Sequence, residues 1–337
     1  MEKRRFGTLP DGRAIDEYIL TDGRCRVGVL TLGAILHAFV YDGVDIVAGF
    51  DTPGDYLADD SYQGATVGRV CNRIRGGTFE IDGRTVELSR NDGGINHLHG
   101  GFCGFQRKVW SAVACDGESV TLEVVSPDGE EGYPGSLTAR VTYRLAGDAL
   151  GIFFEAVCDQ KTAVSMTNHA YFHLGGYGTG DILSHTLCID ADRRTAVDAF
   201  LTPTGERPAV AGTAYDFRSE RPIGRLLADP GRGFDDNFVL NGTKKATLFG
   251  QALTEAASLC YGGRRLTLYT DRPCVQLYTG GFLTGGPAMK GEAEKRPLST
   301  VCLEAQTEPD SVRRGENLLA PGEVYRACIV YSLSRDE

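Results

Sequence analysis

Hydrophobic and polar residues alternate in short runs along most of the chain. The segment 138–145 alternates residue by residue, which is typical of a strand with one face in the core and the other in water. Similar runs recur between turn signals such as Asp-Gly, and they predict a series of strands. The predicted strands are 18–20, 25–30, 44–47, 78–81, 85–88, 109–114, 120–125, 137–145, 150–157, 167–174, 265–269, 274–278, 300–303 and 324–333, with further strand character over 182–203.

Helical periodicity is nearly absent. One short helix is predicted around 222–227, and the polar segments 51–63 and 231–237 read as loops. No repeat, linker or low-complexity segment divides the chain. Many short strands joined by turns predict an all-β protein with very little helix, built as a large antiparallel β-sandwich in a single domain over residues 1–337.

Composition narrows the function classes. The formal net charge is −10 and no run of Lys or Arg marks a nucleic-acid surface, so a protein that acts on small molecules without nucleic acid is favoured. No apolar run is long enough to span a membrane, and the basic start at Lys3 is not followed by an apolar segment. These features predict a cytoplasmic protein with no membrane partner.

The ten cysteines are scattered and form no Cys-x-x-Cys pair. Most of them sit in apolar, strand-like surroundings. In a chain of this length we expect buried free thiols rather than a disulfide framework. The cysteines in strand-like segments are Cys25, Cys158, Cys188, Cys302 and Cys328.

The segment 66–110 concentrates polar, ring-bearing and glycine residues around a predicted hairpin with Asp82-Gly83 at its turn. A hairpin that returns the chain can bring its two flanks together. Guanidinium, amide and imidazole groups side by side suit a small polyhydroxylated ligand such as a sugar. A glycine-rich surface loop fits the same composition equally well. The flanking residues are Arg69, Asn72 and Arg73 before the hairpin, and Asn96, His97 and His99 after it.

Two histidine pairs, His97/His99 and His169/His173, and one glutamate, Glu304, are candidates for chemistry. The pair His97 and His99, spaced to point both rings to one side of a strand, could begin a metal site completed by Glu304 or Asp235. The sequence around His169 fits a core histidine on an apolar strand at least as well as it fits a catalytic histidine.

Glu304 follows an apolar run, where loss of water would raise its pKa toward that of a useful base. It is also compatible with a strand end that faces solvent. Nucleotide and serine-hydrolase motifs are absent from the sequence, so an organic cofactor is not expected.

Seven segments, in order along the chain, resemble the aldose 1-epimerase (galactose mutarotase) family. The resemblance extends from about residue 7 to residue 333. Its segments are Gly-Arg-Val-Cys-Asn-Arg-Ile at 68–74, Asn-His-Leu-His-Gly-Gly at 96–101, Gly-Phe to Trp at 104–110, Thr-Asn-His-Ala-Tyr-Phe at 167–172, Gly-Phe-Asp-Asp-Asn-Phe at 233–238, Val-Gln-Leu-Tyr-Thr-Gly at 275–280, and Leu-Glu-Ala-Gln at 303–306 with Pro-Asp at 309–310.

The resemblance implies a galactose mutarotase-like sandwich with an open sugar cleft. It implies interconversion of the α and β anomers of free aldoses such as D-galactose and D-glucose, without metal or organic cofactor, by a monomer or homodimer. His169 would be the general acid and Glu304 the general base. The sugar would be held by Asn72, Arg73, His99, Tyr171, Asp235 and Gln276.

The chain departs from the family pattern at three positions, Cys71, His173 and Thr307. None of these removes a catalytic group, although His173 and Thr307 leave the sugar preference open. A non-catalytic sugar-binding protein on the same fold is the alternative, because a fold does not by itself fix a function.

Overall fold

The computed structural model describes residues 1–227 and 233–335, and nearly all of its regular structure is β. In chain order the strands are β1 (Glu2–Thr8), β2 (Ala14–Asp22), β3 (Cys25–Leu30), β4 (Leu36–Tyr41), β5 (Val44–Asp45), β6 (Thr66–Val67), β7 (Arg73–Ile74), β8 (Thr78–Ile81), β9 (Arg84–Glu87), β10 (His97–Leu98), β11 (Ser111–Cys115), β12 (Ser119–Ser126), β13 (Leu137–Ala146), β14 (Ala149–Cys158), β15 (Thr162–Ala163), β16 (Thr167–Asn168), β17 (Tyr171–Phe172), β18 (Thr186–Ile189), β19 (Arg193–Arg194), β20 (Arg221–Pro222), β21 (Asp235–Val239), β22 (Lys245–Leu248), β23 (Gln251–Tyr261), β24 (Arg264–Thr270), β25 (Cys274–Tyr278), β26 (Val301–Gln306), β27 (Leu318–Leu319) and β28 (Tyr325–Arg335).

Helices are short. They are α1 (Pro53–Ala58), α2 (Ile223–Leu226) and single 3₁₀ turns at Arg75–Gly77, Phe105–Arg107, Glu130–Gly132, Lys290–Glu292 and Ser311–Arg314. None of the helices in the described part of the chain is long and apolar enough to cross a bilayer.

Three sheets carry most of the strands, and their strands pair antiparallel. The N-terminal sheet has the order β1-β2-β3-β4-β5. The large sheet has the order β11-β12-β13-β14-β28-β24-β23-β18-β20, with β22 also paired to β23. The third sheet, called here the floor sheet because it underlies the cavity described below, has the order β17-β26-β25-β21-β19.

The core lies between these sheets. In β13 the residues Leu137, Ala139, Val141, Tyr143 and Leu145 are buried, while those between them are partly or fully exposed. The buried face joins one apolar cluster with residues of the N-terminal and floor sheets, including Val27, Val29, Leu277 and Leu303. Burial of one face of each sheet in a shared core is what the alternating pattern predicts. The predicted antiparallel all-β sandwich is confirmed.

The predicted hairpin at the centre of the motif-rich segment is present. Its strands β8 and β9 pair with Ile81 opposite Arg84, and the two turn residues between them have positive φ, 51° at Asp82 and 76° at Gly83. Two consecutive positive φ values are those of a type I′ turn, the geometry that Asp-Gly favours.

The alternation of hydrophobic and polar residues did not predict every strand. The first, β1, is mostly exposed at a sheet edge and rich in Lys and Arg, so it shows no apolar alternation. The eleven-residue β23 contains three Ala and two Leu, which favour helices, and its strand state is imposed by pairing with β18, β22 and β24. Strand β4 was also missed.

Three loop and strand assignments were wrong in part. The sequence predicts a loop over 231–237, but Asp235 begins strand β21 of the floor sheet; residues 231 and 232 lie outside the described residues. The segment 51–63 contains α1, whose N-cap Thr52 accepts a hydrogen bond from the amide of Asp55. Within 182–203 only β18 and β19 are strands.

All ten cysteines lie within the described residues and are free thiols. Six of them are buried, Cys158 and Cys188 are partly exposed, and Cys103 and Cys115 are exposed. The expectation of free thiols is confirmed, and burial holds for most of the sites.

Candidate active site

A cavity of about 430 Å³ opens over the floor sheet. Its lining brings together all the residues to which the family resemblance gave a role in acid–base chemistry or sugar binding: Asn72, Arg73, His99, His169, Tyr171, Asp235, Gln276 and Glu304. The volume lies in the range of small-molecule sites.

Three neighbouring strands of the floor sheet present the carboxylates and the amide. In the register of these strands, Gln276 lies opposite Glu304 on one side and opposite Asn237 on the other. Side chains two residues apart on a strand share a face, so Asp235 joins Gln276 and Glu304 on the cavity face. The side-chain amide of Gln276 donates to Asp235 Oδ1 at 2.7 Å.

Glu304 lies inside strand β26 rather than at its end, because β26 extends to Gln306. The residue is 2% exposed, so the alternative of a glutamate that faces solvent is wrong. Burial, together with the nearby negative charge of Asp235, raises the pKa of Glu304 well above its usual value, and the positive charge of Arg73 opposes this shift. Among the described residues, no group hydrogen-bonds to Glu304 Oε2.

His169 faces Glu304 from the connection between β16 and β17. Strand β17 pairs with β26 so that Tyr171 lies opposite Cys302, and continuing this register places His169 opposite Glu304. The two side chains approach to 3.6 Å between His169 Nε2 and Glu304 Oε1. Burial lowers the pKa of His169 to about 4, so the imidazole favours its neutral form.

Two phenol rings enclose the imidazole of His169. Tyr171 stacks on it with ring centres 5.0 Å apart, and Tyr62 stacks with ring centres 5.9 Å apart. The Tyr171 hydroxyl donates to the carbonyl of Ser61 at 2.7 Å. The thiol of Cys302 lies 3.6 Å from His169 Nδ1. These contacts fix the plane of the ring while leaving Nε2 directed at Glu304.

The two flanks of the β8–β9 hairpin meet at the cavity. Strands β7 and β10 pair, with Leu98 opposite Arg73. The backbone amide of Asn72 donates to His99 Nδ1 at 3.2 Å, which leaves the ring proton on Nε2. Arg73 Nε donates to Asp92 at 2.9 Å, and its Nη1 lies 4.0 Å from Asp235.

The other three flank residues serve the fold instead of the cavity. The His97 ring contacts the Ser89 carbonyl and the Tyr133 hydroxyl. The side chain of Asn96 accepts from the amide of Gly76. Arg69 is buried, and its guanidinium donates to oxygens of Ser126, Pro127, Pro134 and Thr162.

The two departures that left the sugar preference open also lie outside the cavity lining. His173 packs against His185 with ring centres 4.5 Å apart and accepts from the amide of Gly175. The hydroxyl of Thr307 is bonded to Ser165 and Asn317. Neither side chain can contact a sugar directly in this arrangement.

The metal hypothesis built on the His97/His99 pair is wrong in its ligand set. His99 lies beyond the end of β10 with φ of 52°, so its ring is not held on the same side as that of His97. The potential ligands that do converge in the described residues are His99, His169 and Glu304, whose donor atoms lie within 4.8 Å of one another.

Several cavity residues were not anticipated from the sequence, namely Asp59, Tyr62, Tyr278, Phe282 and Lys295. Tyr278 belongs to the segment 275–280, which resembles the family, so the sequence did contain a signal that could have placed it in the cavity. Asp59, Tyr62 and Lys295 lie in irregular segments, where spacing carries no information about which side chains face a cavity.

The chain is similar to known proteins over nearly its whole length. The family model described as aldose 1-epimerase matches residues 16–332. The galactose mutarotase of Bos taurus is 42% identical over 330 residues, covering 95% of this chain and 94% of that protein. The aldose 1-epimerase of Escherichia coli strain K12 is 35% identical over 300 residues, covering 85% of this chain and 84% of that protein.

A similar overall fold occurs in a solved structure. The crystal structure of a galactose 1-epimerase from Lactobacillus acidophilus NCFM superposes with a TM-score of 0.87 at 29% identity, covering 100% of this chain and 99% of that chain.

Proposed function

The chain belongs to the aldose 1-epimerase family and interconverts the α and β anomers of free aldoses, and we propose that His169 and Glu304 move the protons of this isomerisation. The observation that supports these roles is the buried contact of 3.6 Å between His169 Nε2 and Glu304 Oε1 in the polar cavity. D-Galactose and D-glucose are the expected substrates.

Anomerisation requires one proton to leave the C1 hydroxyl and another to reach the ring oxygen. Glu304 takes the hydroxyl proton while His169 delivers its proton to the ring oxygen, and the C1–O5 bond breaks. The open-chain aldehyde then rotates about C1–C2. Reclosure on the other face reverses both transfers, and each group contributes about 10²–10⁴-fold to the rate.

The two residues therefore share one proton in the course of each turnover. Ring opening moves it from His169 to Glu304 by way of the sugar, and ring closure returns it. The pKa directions favour a carboxylic acid beside a neutral imidazole, which is the protonation state of the ring-opened complex. Stabilising that state lowers the free energy of the open intermediate relative to the closed sugars.

The remaining residues offer complementary groups to sugar hydroxyls. His99 is held as a neutral Nε2–H donor, because its Nδ1 accepts from Asn72 and burial lowers its pKa. Asp235 and the Gln276 carbonyl oxygen, which has no partner among the described residues, are acceptors. Arg73 supplies donors, and Tyr171 supplies an apolar wall.

Polarimetry of freshly dissolved α-D-galactose and α-D-glucose, with EDTA present, tests the proposal. We expect the wild-type protein to accelerate the approach to equilibrium rotation. Glu304→Gln and His169→Asn should each reduce kcat/KM by at least about 10²-fold. The matched control is His173→Asn, which changes a buried histidine outside the cavity and should retain activity.

Activity of Glu304→Gln close to that of the wild type would show that the base assignment is wrong. Activity that disappears with EDTA and returns with a divalent metal would favour the His99, His169 and Glu304 set as a metal site. Sugar binding without any acceleration by the wild-type protein would favour the non-catalytic alternative.

We also propose that residues 1–337 form one domain that acts in the cytoplasm as a monomer or homodimer, without a nucleic-acid or membrane partner. The ten free cysteines support a reducing compartment, because thiols persist there without pairing. The negative net charge of −10 argues against a nucleic-acid partner.

A further inference from the structure

A second charged pair lines the cavity and has no part in the proton transfers. Lys295 Nζ donates to Asp59 Oδ2, and the side chains of Lys295 and Asp59 are only 7% and 3% exposed. Removing two charges from water is costly, and their mutual attraction offsets that cost only when the remaining polar atoms are also satisfied. Such a pair in a cavity wall suggests that a ligand completes its hydrogen bonds.

The carboxylate of this pair is already satisfied by the protein. Asp59 Oδ1 accepts from the Ser61 amide at 2.7 Å and from the Ser61 hydroxyl, while Oδ2 accepts from Lys295. An ammonium group has three N–H donors. Across residues 1–227 and 233–335, Asp59 is the one hydrogen-bond acceptor of Lys295. Two donors on a buried cavity-lining side chain are therefore left for a ligand.

The backbone also approaches this pair closely. Gly286 has φ of 76°, and a Cβ built on it would lie 3.1 Å from Lys295 Nζ and 3.2 Å from Asp59 Oδ2. A side chain at this position would crowd both charged groups, so glycine allows the chain to cover them. The covering backbone limits the water that reaches the ammonium and leaves the cavity as its open side.

The pair is connected to His169 through Tyr171 and Ser61. The ring of Tyr171 stacks on His169, the Tyr171 hydroxyl reaches the carbonyl of Ser61, and Ser61 in turn bonds to Asp59. The charges that shift the pKa of Glu304 are those of Asp235 and Arg73, and Lys295 is not among them.

We propose that Lys295 is a specificity-determining residue that donates a hydrogen bond to a hydroxyl of the aldose at the end remote from C1. The inference rests on the proposed function, in which Glu304 contacts the C1 hydroxyl and His169 contacts the ring oxygen. Asp59 orients the ammonium group and neutralises its charge, so the subsite favours a neutral hydroxyl over the carboxylate of a uronic acid. The hydroxyls at the end of the aldose remote from C1 are those on C4 and C6.

Steady-state polarimetry of Lys295→Met with four sugars tests the proposal. D-Galactose and D-glucose differ in configuration at C4, D-fucose is D-galactose without the C6 hydroxyl, and L-arabinose lacks C6. We expect the KM for D-galactose to rise about 10-fold while kcat stays within about 2-fold. If the contact is to the C6 hydroxyl, the substitution should have no effect on the KM of D-fucose or L-arabinose. If the contact is to the C4 hydroxyl, it should have no effect on the KM of D-glucose, whose C4 hydroxyl points in the other direction.

An equal rise of KM for all four sugars would overturn the proposal, because Lys295 would then act only through the shape of the cavity. An unchanged KM for every sugar would overturn it as well. A KM for D-galacturonate lower than that for D-galactose in the wild-type protein would contradict the preference for a neutral group.

Two further variants separate recognition from folding. Lys295→Met combined with Asp59→Asn removes both charges, so no isolated buried carboxylate remains, and it should show the same dependence on the sugar. Lys290→Met is the matched control, since Lys290 is the other buried lysine of this segment, bonded to Asp45 and outside the cavity lining. It should lower the melting temperature without changing the ranking of sugars.

Failure of this inference is distinguishable from failure of the proposed function. A wild-type protein that accelerates no mutarotation contradicts the catalytic roles of His169 and Glu304. An active wild type whose Lys295 variants lose no sugar discrimination contradicts the subsite alone.

Discussion

His169 and Glu304 form a buried pair whose pKa values are displaced in opposite directions. Burial lowers the pKa of His169 to about 4 and raises that of Glu304. The pair therefore holds a single proton over a wide range of pH. We expect kcat/KM to persist below the value of about 6.5 at which an exposed histidine would titrate, and to fall only as the pair takes up a second proton near pH 4.

The alkaline limit of activity depends on the charges around Glu304. The negative charge of Asp235 raises the pKa of Glu304, so Asp235→Asn should move the alkaline limb to lower pH. The positive charge of Arg73 lowers that pKa, so Arg73→Met should move the limb to higher pH. Both variants will also bind sugar less well, but only the position of the limb tests the electrostatics. If the alkaline limbs of the pH–activity profiles of Asp235→Asn and Arg73→Met moved in the same direction, this account would be contradicted.

At the scale of elements, the floor sheet carries both the site and a series of hydrogen bonds between buried polar side chains. Gln306 donates to Asn237 at 3.2 Å, Asn237 donates to Thr195 at 2.9 Å, and Thr195 donates to Glu308 at 2.7 Å. Gln306 and Asn237 lie on the same strand faces as Glu304 and Asp235, two residues further along each strand. The chain of hydrogen bonds thus ties together the strands that carry the two carboxylates.

Asn237→Ala should break this chain in the middle. It leaves the buried amide of Gln306 and the hydroxyl of Thr195 with one partner fewer, so we expect a loss of about 1–3 kcal/mol in the free energy of unfolding. Urea titration measures it, with Gln251→Ala at the exposed start of β23 as the control. A loss below about 0.5 kcal/mol would mean that water or neighbouring groups replace Asn237.

The sequence predicted elements well wherever burial alternates along a strand. Strand β13 has nearly the predicted bounds, because its buried and exposed positions alternate and a marked turn follows it. Strand β25 has the predicted bounds although both of its faces are buried, because its residues are mostly apolar. The strand β23 was missed, because its composition is that of a helix and only its neighbours hold it extended. The two-residue strands β15 and β27 were also missed, because they are held only by pairing with each other and leave no local periodicity.

The residues of the site likewise divide into those that the sequence predicted and those that it did not. His169, Glu304 and Asp235 were identified because they belong to segments recognised by resemblance, and chemistry gave each a role. Asp59 and Lys295 are 236 positions apart in the sequence, in irregular segments that have no motif. Their contact is a product of the folded chain, so no spacing rule could have anticipated it.

At the scale of the whole molecule, the six histidines predict sensitivity to acid. Burial lowers the pKa of every one of them in the folded state. The unfolded chain therefore binds more protons as the pH falls below about 6.5, and the free energy of unfolding decreases from there down to about pH 4. Each histidine contributes a slope of up to about 1.4 kcal/mol per pH unit.

Glu304 acts in the opposite direction. Its raised pKa means that the folded state holds a proton which the unfolded chain releases above about pH 4.5, so this contribution to stability is complete at low pH and is lost as the pH rises. Glu304→Gln removes the opposing contribution and should make the rise of melting temperature with pH steeper. His185→Gln, outside the cavity, removes one histidine and should make that rise shallower.

Differential scanning calorimetry between pH 4 and pH 8 measures these slopes. For the wild type we expect the melting temperature to fall by about 2 °C or more per pH unit below pH 6.5. A flat profile in the wild type would show that the histidines are hydrated in the native state. Opposite changes of slope in the two variants would instead show that the buried carboxyl of the active site and the buried imidazoles of the core set the pH dependence of the same fold, with Glu304 favouring acid and the histidines favouring neutral pH.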